Sequence, residues 1–170
     1  MKPHTHGIHD DLNAILGHPL YPLGEAVQRL QEELSLLMEE WNELAALTRS
    51  IYRRRHSRFV GDEFGWLLEK TGPFREDVRE HAAWAEEQLR PLLERVIGDA
   101  SGRLDDLDAM IRRAENRLER FQAGLAAASS DPERVRDIPE ALLKTSRAFE
   151  GLFRLEGELL DELWESTDAG

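Results

Sequence analysis

The sequence predicts an all-α chain, folded as an antiparallel four-helix bundle behind an irregular N-terminal arm. Three observations predict it. Apolar residues recur at three- and four-residue steps through most of the 170 positions, the period of a one-sided helix. No stretch alternates with the period of two that a half-buried strand needs. Short links bearing glycine, proline or serine separate four long periodic segments, as in a bundle.

Residues 1–21 form the arm, broken by glycines, prolines and the histidines His4, His6, His9 and His18. The bundle is assigned to 22–166, as two helical hairpins of about 22–97 and 101–166. In the first helix Leu23, Val27, Leu30, Leu34, Leu37, Trp41, Leu44 and Leu47 line one face, ending near residue 56. Phe59, Phe64, Trp66, Leu67 and Leu68 predict a short helical connection that stops at Thr71-Gly72-Pro73. A second long helix follows to Ile97, its face made by Phe74, Val78, Ala82, Ala85, Leu89, Leu92 and Val96. Pro91 lies inside it and should bend it or loosen one turn, because proline has no amide donor. Gly98 to Gly102 make the next break. Leu104, Leu107, Ile111, Ala114, Leu118, Phe121 and Leu125 then mark a third helix, closed by Ser129-Ser130-Asp131-Pro132. Asp137, with Glu140 three residues on, has the form of a capping box for a fourth helix running to about Trp164.

Composition narrows the function classes. A net charge of −12 repels phosphate backbones, so nucleic acid is not an expected partner. The basic run Arg53-Arg54-Arg55-His56 suits the C-terminal end of a helix dipole. Cysteine is absent, which excludes disulfides, thiolate catalysis and cysteine metal sites and agrees with a reducing, cytoplasmic setting. No apolar run reaches the roughly 18 residues of a membrane span, and the N-terminus lacks a secretory apolar region. No serine–histidine–acid pattern, phosphate-binding glycine loop or dinucleotide fingerprint occurs, so the chain is not expected to be an enzyme.

The two halves of the chain resemble each other. Leu30–Leu37 aligns with Leu104–Ile111, and His81–Leu92 aligns with Leu152–Leu163. The stretch HAAWAEEQLRPLLE, residues 81–94, resembles the H-F-x-x-E-E-x-x-L-F-P-L-L pattern of the hemerythrin-like family, or HHE cation-binding domain, through His81, Glu86, Leu89, Pro91, Leu92 and Leu93. FRLEGELLDELWE, residues 153–165, is similar through Phe153, Glu156, Glu158 and Leu160. LQEELSLL and LDDLDAMI resemble that family's L-x-x-E-H-x-x-L segments in all but the histidine. The likeness spans roughly residues 23–165 and implies an up-down-up-down bundle around an oxo-bridged pair of irons that binds dioxygen or nitric oxide.

The departures from the pattern shape the expected function. Leu34, Ala85 and Leu152 stand where the resemblance marks ligands, while His81, Asp108 and Glu156 retain groups able to bind metal. The expected protein is therefore a divergent hemerythrin-like bundle without an intact diiron centre, acting as a non-enzymatic binding or regulatory module. One alternative is a reduced site of His81, Asp108 and Glu156, holding a single divalent ion or a remnant of the iron site and binding or sensing oxygen, nitric oxide or a cation. A structural protein that dimerises without ligand is the other. His4, His6 and His9 form a possible metal-binding arm, since short histidine-rich tracts take zinc, nickel or copper. Trp84 is the candidate interface residue, and a second copy or another protein is the expected partner.

Overall fold

A computed structural model describes residues 20–99 and 102–168, and every element among them is helical. Helix α1 is Leu20–Arg53 and α2 is Val60–Trp84. A π-helical turn, Ala85–Leu89, joins α2 to α3, Arg90–Val96, so α2, the turn and α3 form one long rod. Helix α4 is Arg103–Ser130; a 3-10 segment, Pro132–Asp137, then leads into α5, Ile138–Asp168. Among the described residues no helix is long and apolar enough to cross a membrane. The arm histidines His4, His6, His9 and His18 lie outside the described residues.

The four rods pack in a ring: α1 touches α2 and α5, and α4 touches α2 and α5. Contacts such as Arg54–Glu63, Lys70–Glu43 and His81–Glu33 rise in number along α2 as they fall along α1. The apolar stripe read from the sequence is the stripe that is buried, from Leu23 to Ile51 on α1 and from Leu104 to Ala128 on α4. Its centre is a layer of aromatic rings, one from each rod. Trp41 stacks on Phe74 and Phe149, with centroids 5.9 and 5.2 Å away, and meets Phe121 edge-on at 5.5 Å. Such pairs add about 0.5–1.5 kcal/mol beyond their buried area.

Three boundaries differ from the sequence reading. The expected break at Thr71-Gly72-Pro73 is absent, and Pro73 sits inside α2. A side chain before proline clashes in the helical conformation, and Gly72 has no Cβ to clash. The remaining cost of the lost amide, about 3 kcal/mol, is offset by continuous burial of Phe64, Leu67, Thr71, Phe74 and Val78 on one face. Secondly, Asp137 does not cap α5, because helical backbone already precedes it; Asp131 instead caps the 3-10 segment, its Oδ1 accepting the Glu133 amide at 3.0 Å. Thirdly, α1 begins at Leu20 and stops at Arg53, so the last arginines and His56 belong to the connection. The loosening expected at Pro91 takes a definite form. The amide of Arg90 bonds five residues back to Ala85, widening the turn just before the proline.

Two glycines give opposite predictions. A Cβ on Gly61 would lie 2.8 Å from the Ser129 carbonyl oxygen, because the start of α2 presses on the end of α4. A Cβ on Gly151 would meet nothing within 4 Å. Gly151→Ala should therefore stabilise the chain by about 0.5–1 kcal/mol, the usual helix-interior gain, whereas Gly61→Ala should destabilise it. Urea unfolding of both variants checks the reversal.

Candidate functional site

About two helical turns from the aromatic layer, the core holds charge instead of carbon. His81 on α2 is 2% exposed and Glu156 on α5 is fully buried. The His81 Nε2 lies 2.6 Å from Glu156 Oε1, and its Nδ1 lies 3.3 Å from Glu33 Oε1 on α1. Glu33 also accepts from Arg29 Nε at 2.8 Å, and the Arg29 guanidinium lies over the Trp84 ring, 4.7 Å from its centroid. The Trp84 ring in turn sits 6.0 Å from His81. One imidazole thus ties three helices together, beside a groove. That groove, about 390 Å³, is lined by Arg29, Glu32, Glu33, Asp77, Glu80 and His81 among others.

The chemistry follows from the partners. Burial alone would lower the His81 pKa, but hydrogen bonds and charge from Glu156 and Glu33 overcome it and raise the value to about 9. Burial pushes against Glu33 ionising too, yet its bonds to His81 and Arg29 hold its pKa below the ordinary value. The imidazole is therefore an imidazolium with a carboxylate on each nitrogen, and it has no lone pair to offer as base or ligand. Among the described residues no hydrogen-bond partner meets Glu156 Oε2, which is buried in the core. A second acidic pair lies beside this clamp. Burial, then a hydrogen bond and charge from Asp77, raise the Glu40 pKa to about 8.

Of the residues expected to form a metal site, His81 and Glu156 come together and Asp108 does not. Asp108 forms an ion pair with Arg90 of α3 at the surface, where Asp105 also bonds Arg90 at 2.9 Å. The local counter-charge took it, since a half-buried carboxylate beside an arginine has no reason to turn inward. Glu33 occupies the place on His81 instead. Its signal was present in the helical wheel, since Glu33 falls one turn before Leu37 and one turn after Arg29, at the edge of the apolar stripe. Trp84, the candidate interface residue, is 5% exposed and packed between His81 and Arg29. Trp66 and Trp164 are the half-exposed tryptophans.

No family model, curated protein or solved structure matches the chain. The donor set itself does not fit a pair of irons. Leu34, Ala85 and Leu152, at the positions where the resemblance places ligands, are all buried apolar residues. Among the described residues no group of three or more histidine, aspartate or glutamate side chains is arranged to hold a metal ion.

The clamp makes stability depend on pH in a stated direction. A free imidazole titrates near 6.5, so the His81 contribution is complete below about pH 6.5 and is lost as pH rises through about 9. Glu40, whose pKa is raised from the ordinary 4.5 to about 8, contributes in full below about pH 4.5 and loses that contribution as pH rises to about 8, which overlaps the lower part of the His81 window. Glu33, with its lowered pKa, contributes above the ordinary carboxylate range and loses that contribution on acidification. Urea midpoints should fall between about pH 6.5 and 9, and the fall should shrink in the His81→Leu/Glu156→Leu double variant. At neutral pH, Glu156→Leu alone should cost about 3–5 kcal/mol by stranding a buried charge, and adding His81→Leu should recover most of that.

Proposed function

We propose that this chain is a non-enzymatic binding or regulatory module, built on a divergent hemerythrin-like bundle in which an ionic clamp has replaced the metal layer. The observation that carries the reading is the double engagement of His81. Both ring nitrogens face carboxylates, and Leu34, Ala85 and Leu152, three of the positions marked as ligands by the resemblance, are apolar and packed. An imidazolium so held ties α1, α2 and α5 into one arrangement but does no acid–base work near neutral pH. The absence of cysteine supports work in a reducing cytoplasm.

A second reading, a single divalent cation held by a reduced site, has one observation in its favour. Glu156 Oε2, unpartnered among the described residues, lies on the carboxylate that meets His81 Nε2, so a cation displacing the imidazole proton would find two donors from opposite helices. Asp108 takes no part in that reading.

Elemental analysis decides between the two. The protein is expressed with iron or zinc supplied and with His4, His6 and His9 replaced by alanine to remove the arm. The module reading expects no stoichiometric metal and no near-ultraviolet charge-transfer band. One equivalent of metal, lost in Glu156→Gln and His81→Ala, would overturn it in favour of the reduced site.

A further inference from the structure

The connection between α1 and α2 differs in chemistry from the rest of the molecule. Residues 53–59, Arg-Arg-Arg-His-Ser-Arg-Phe, are all exposed. The chain carries −12 overall, with acids at the other end of the bundle, at Asp105 and Asp106 of α4 and at Glu158, Asp161, Glu162 and Glu165 of α5, and fewer at the strip's own end, where Asp62, Glu63, Asp131 and Glu133 lie. Only Arg54 of the run finds a carboxylate among the described residues, Glu63 at 2.9 Å. Arg53, Arg55 and Arg58 have none there. Arg55 lies over the Tyr52 ring at 4.6 Å and Arg58 over the Phe59 ring at 4.8 Å. Arg55 Nη1 also donates to the Tyr52 carbonyl oxygen at 3.3 Å, so its remaining N–H groups, with those of Arg53 and Arg58, are the donors left for an anion.

Two large apolar side chains continue the strip. Phe59 is 54% exposed and Trp66 is 50% exposed. Phe59 is the residue just before α2, and Trp66 lies in its second turn, about two turns further along the chain. Lys70, one turn beyond, lies over the Trp66 ring at 5.6 Å and reaches Glu43 at 3.5 Å.

We propose that this arginine–aromatic strip is the docking surface for an acidic segment of a protein partner. The guanidiniums of Arg53, Arg55 and Arg58, none of them paired with a carboxylate among the described residues, take its carboxylates, and Phe59 and Trp66 take apolar side chains spaced between them. Arginine and large aromatics are the residue types that carry binding energy at protein interfaces. The geometry disfavours the other anionic partners. A bilayer needs its apolar anchors at one depth, whereas Phe59 and Trp66 are staggered along the side of a helix with exposed Asp62 between them. A nucleic acid, a long polyanion, runs past the strip into the acidic remainder of the chain, whereas a short acidic segment is confined to the strip. A second copy seated by its acidic end would build an open chain of molecules instead of a closed dimer. The inference rests on the binding-module reading but uses residues at the opposite end of α2 from His81, so metal analysis judges that reading and peptide binding judges this one.

Fluorescence anisotropy with a labelled peptide of Glu-Glu-Phe repeats tests it on the full chain. The acidic peptide should bind, and binding should weaken as salt rises. The Arg53→Glu/Arg55→Glu/Arg58→Glu variant should bind about tenfold or more weakly. Phe59→Ser/Trp66→Ser should also weaken binding but keep the salt dependence. All five side chains are exposed, so circular dichroism should show the helices intact; if charge reversal unfolds the chain, the three glutamine replacements serve in its place. The proposal is overturned if the peptide does not bind, if a Lys-Lys-Phe peptide binds as well, or if the variants bind unchanged. It is equally overturned if phosphatidylglycerol vesicles or a single-stranded oligonucleotide bind more tightly than the peptide.

Discussion

Everything in this bundle is set out from the layer where Trp41, Phe74, Phe121 and Phe149 meet. Each ring comes from a different rod, and each is buried within stacking or edge-on distance of another. Flat, rigid side chains leave few ways to fit together, so the layer sets the separation of the helices and the rotation of each about its axis. The positions one heptad along α2 and α5 from Phe74 and Phe149 are His81 and Glu156, and the heptad before Trp41 on α1 brings Glu33 and Leu34 to the same level. The ionic layer is the next tier of a stack that the aromatic tier aligns.

A buried charge then sharpens what the rings begin. Apolar layers tolerate small slips, but an imidazolium in the core tolerates none that pull it from its carboxylates, because an unpaired buried charge is far costlier than a misfit methyl. His81 therefore selects one register of α1, α2 and α5. The widened turn at Ala85–Leu89 begins directly after Trp84, so the backbone irregularity that Pro91 imposes falls outside the clamp instead of inside it. Beyond that turn Arg90 gathers Glu94, Asp105 and Asp108, fastening α3 to the start of α4 from the surface.

Charge is also sorted along the length of the molecule. The α1–α2 connection collects arginines with aromatic neighbours, while the far ends of α4 and α5 collect carboxylates. Arg103 forks onto Glu162, with Nη2 2.6 Å from Oε2, neutralising part of that acidic end. No such internal partner meets Arg53, Arg55 or Arg58 among the described residues. A molecule so polarised presents different chemistry at its two ends to any approaching partner.

The amino-acid order alone determined the all-helical class, the inward face of each rod and the break at Gly98 to Gly102, because these follow from local periodicity and from backbone preference. Gly98 and Gly102 both adopt the left-handed conformation that marks such breaks. It also singled out His81 and Glu156 through their place in a repeated pattern. Tertiary structure decided what depends on neighbours from distant sequence. Pro73 stays inside a helix because both sides of it are buried on the same face. Asp108 turns outward because Arg90 is nearer than His81, and Glu33 turns inward because the imidazole is there to receive it. Trp84, whose spacing left it at the edge of the apolar stripe, is buried because Arg29 folds over it. A periodic pattern tells which face of a helix is apolar, but only the packed neighbours tell whether a charge at the edge of that face meets water or an opposite charge.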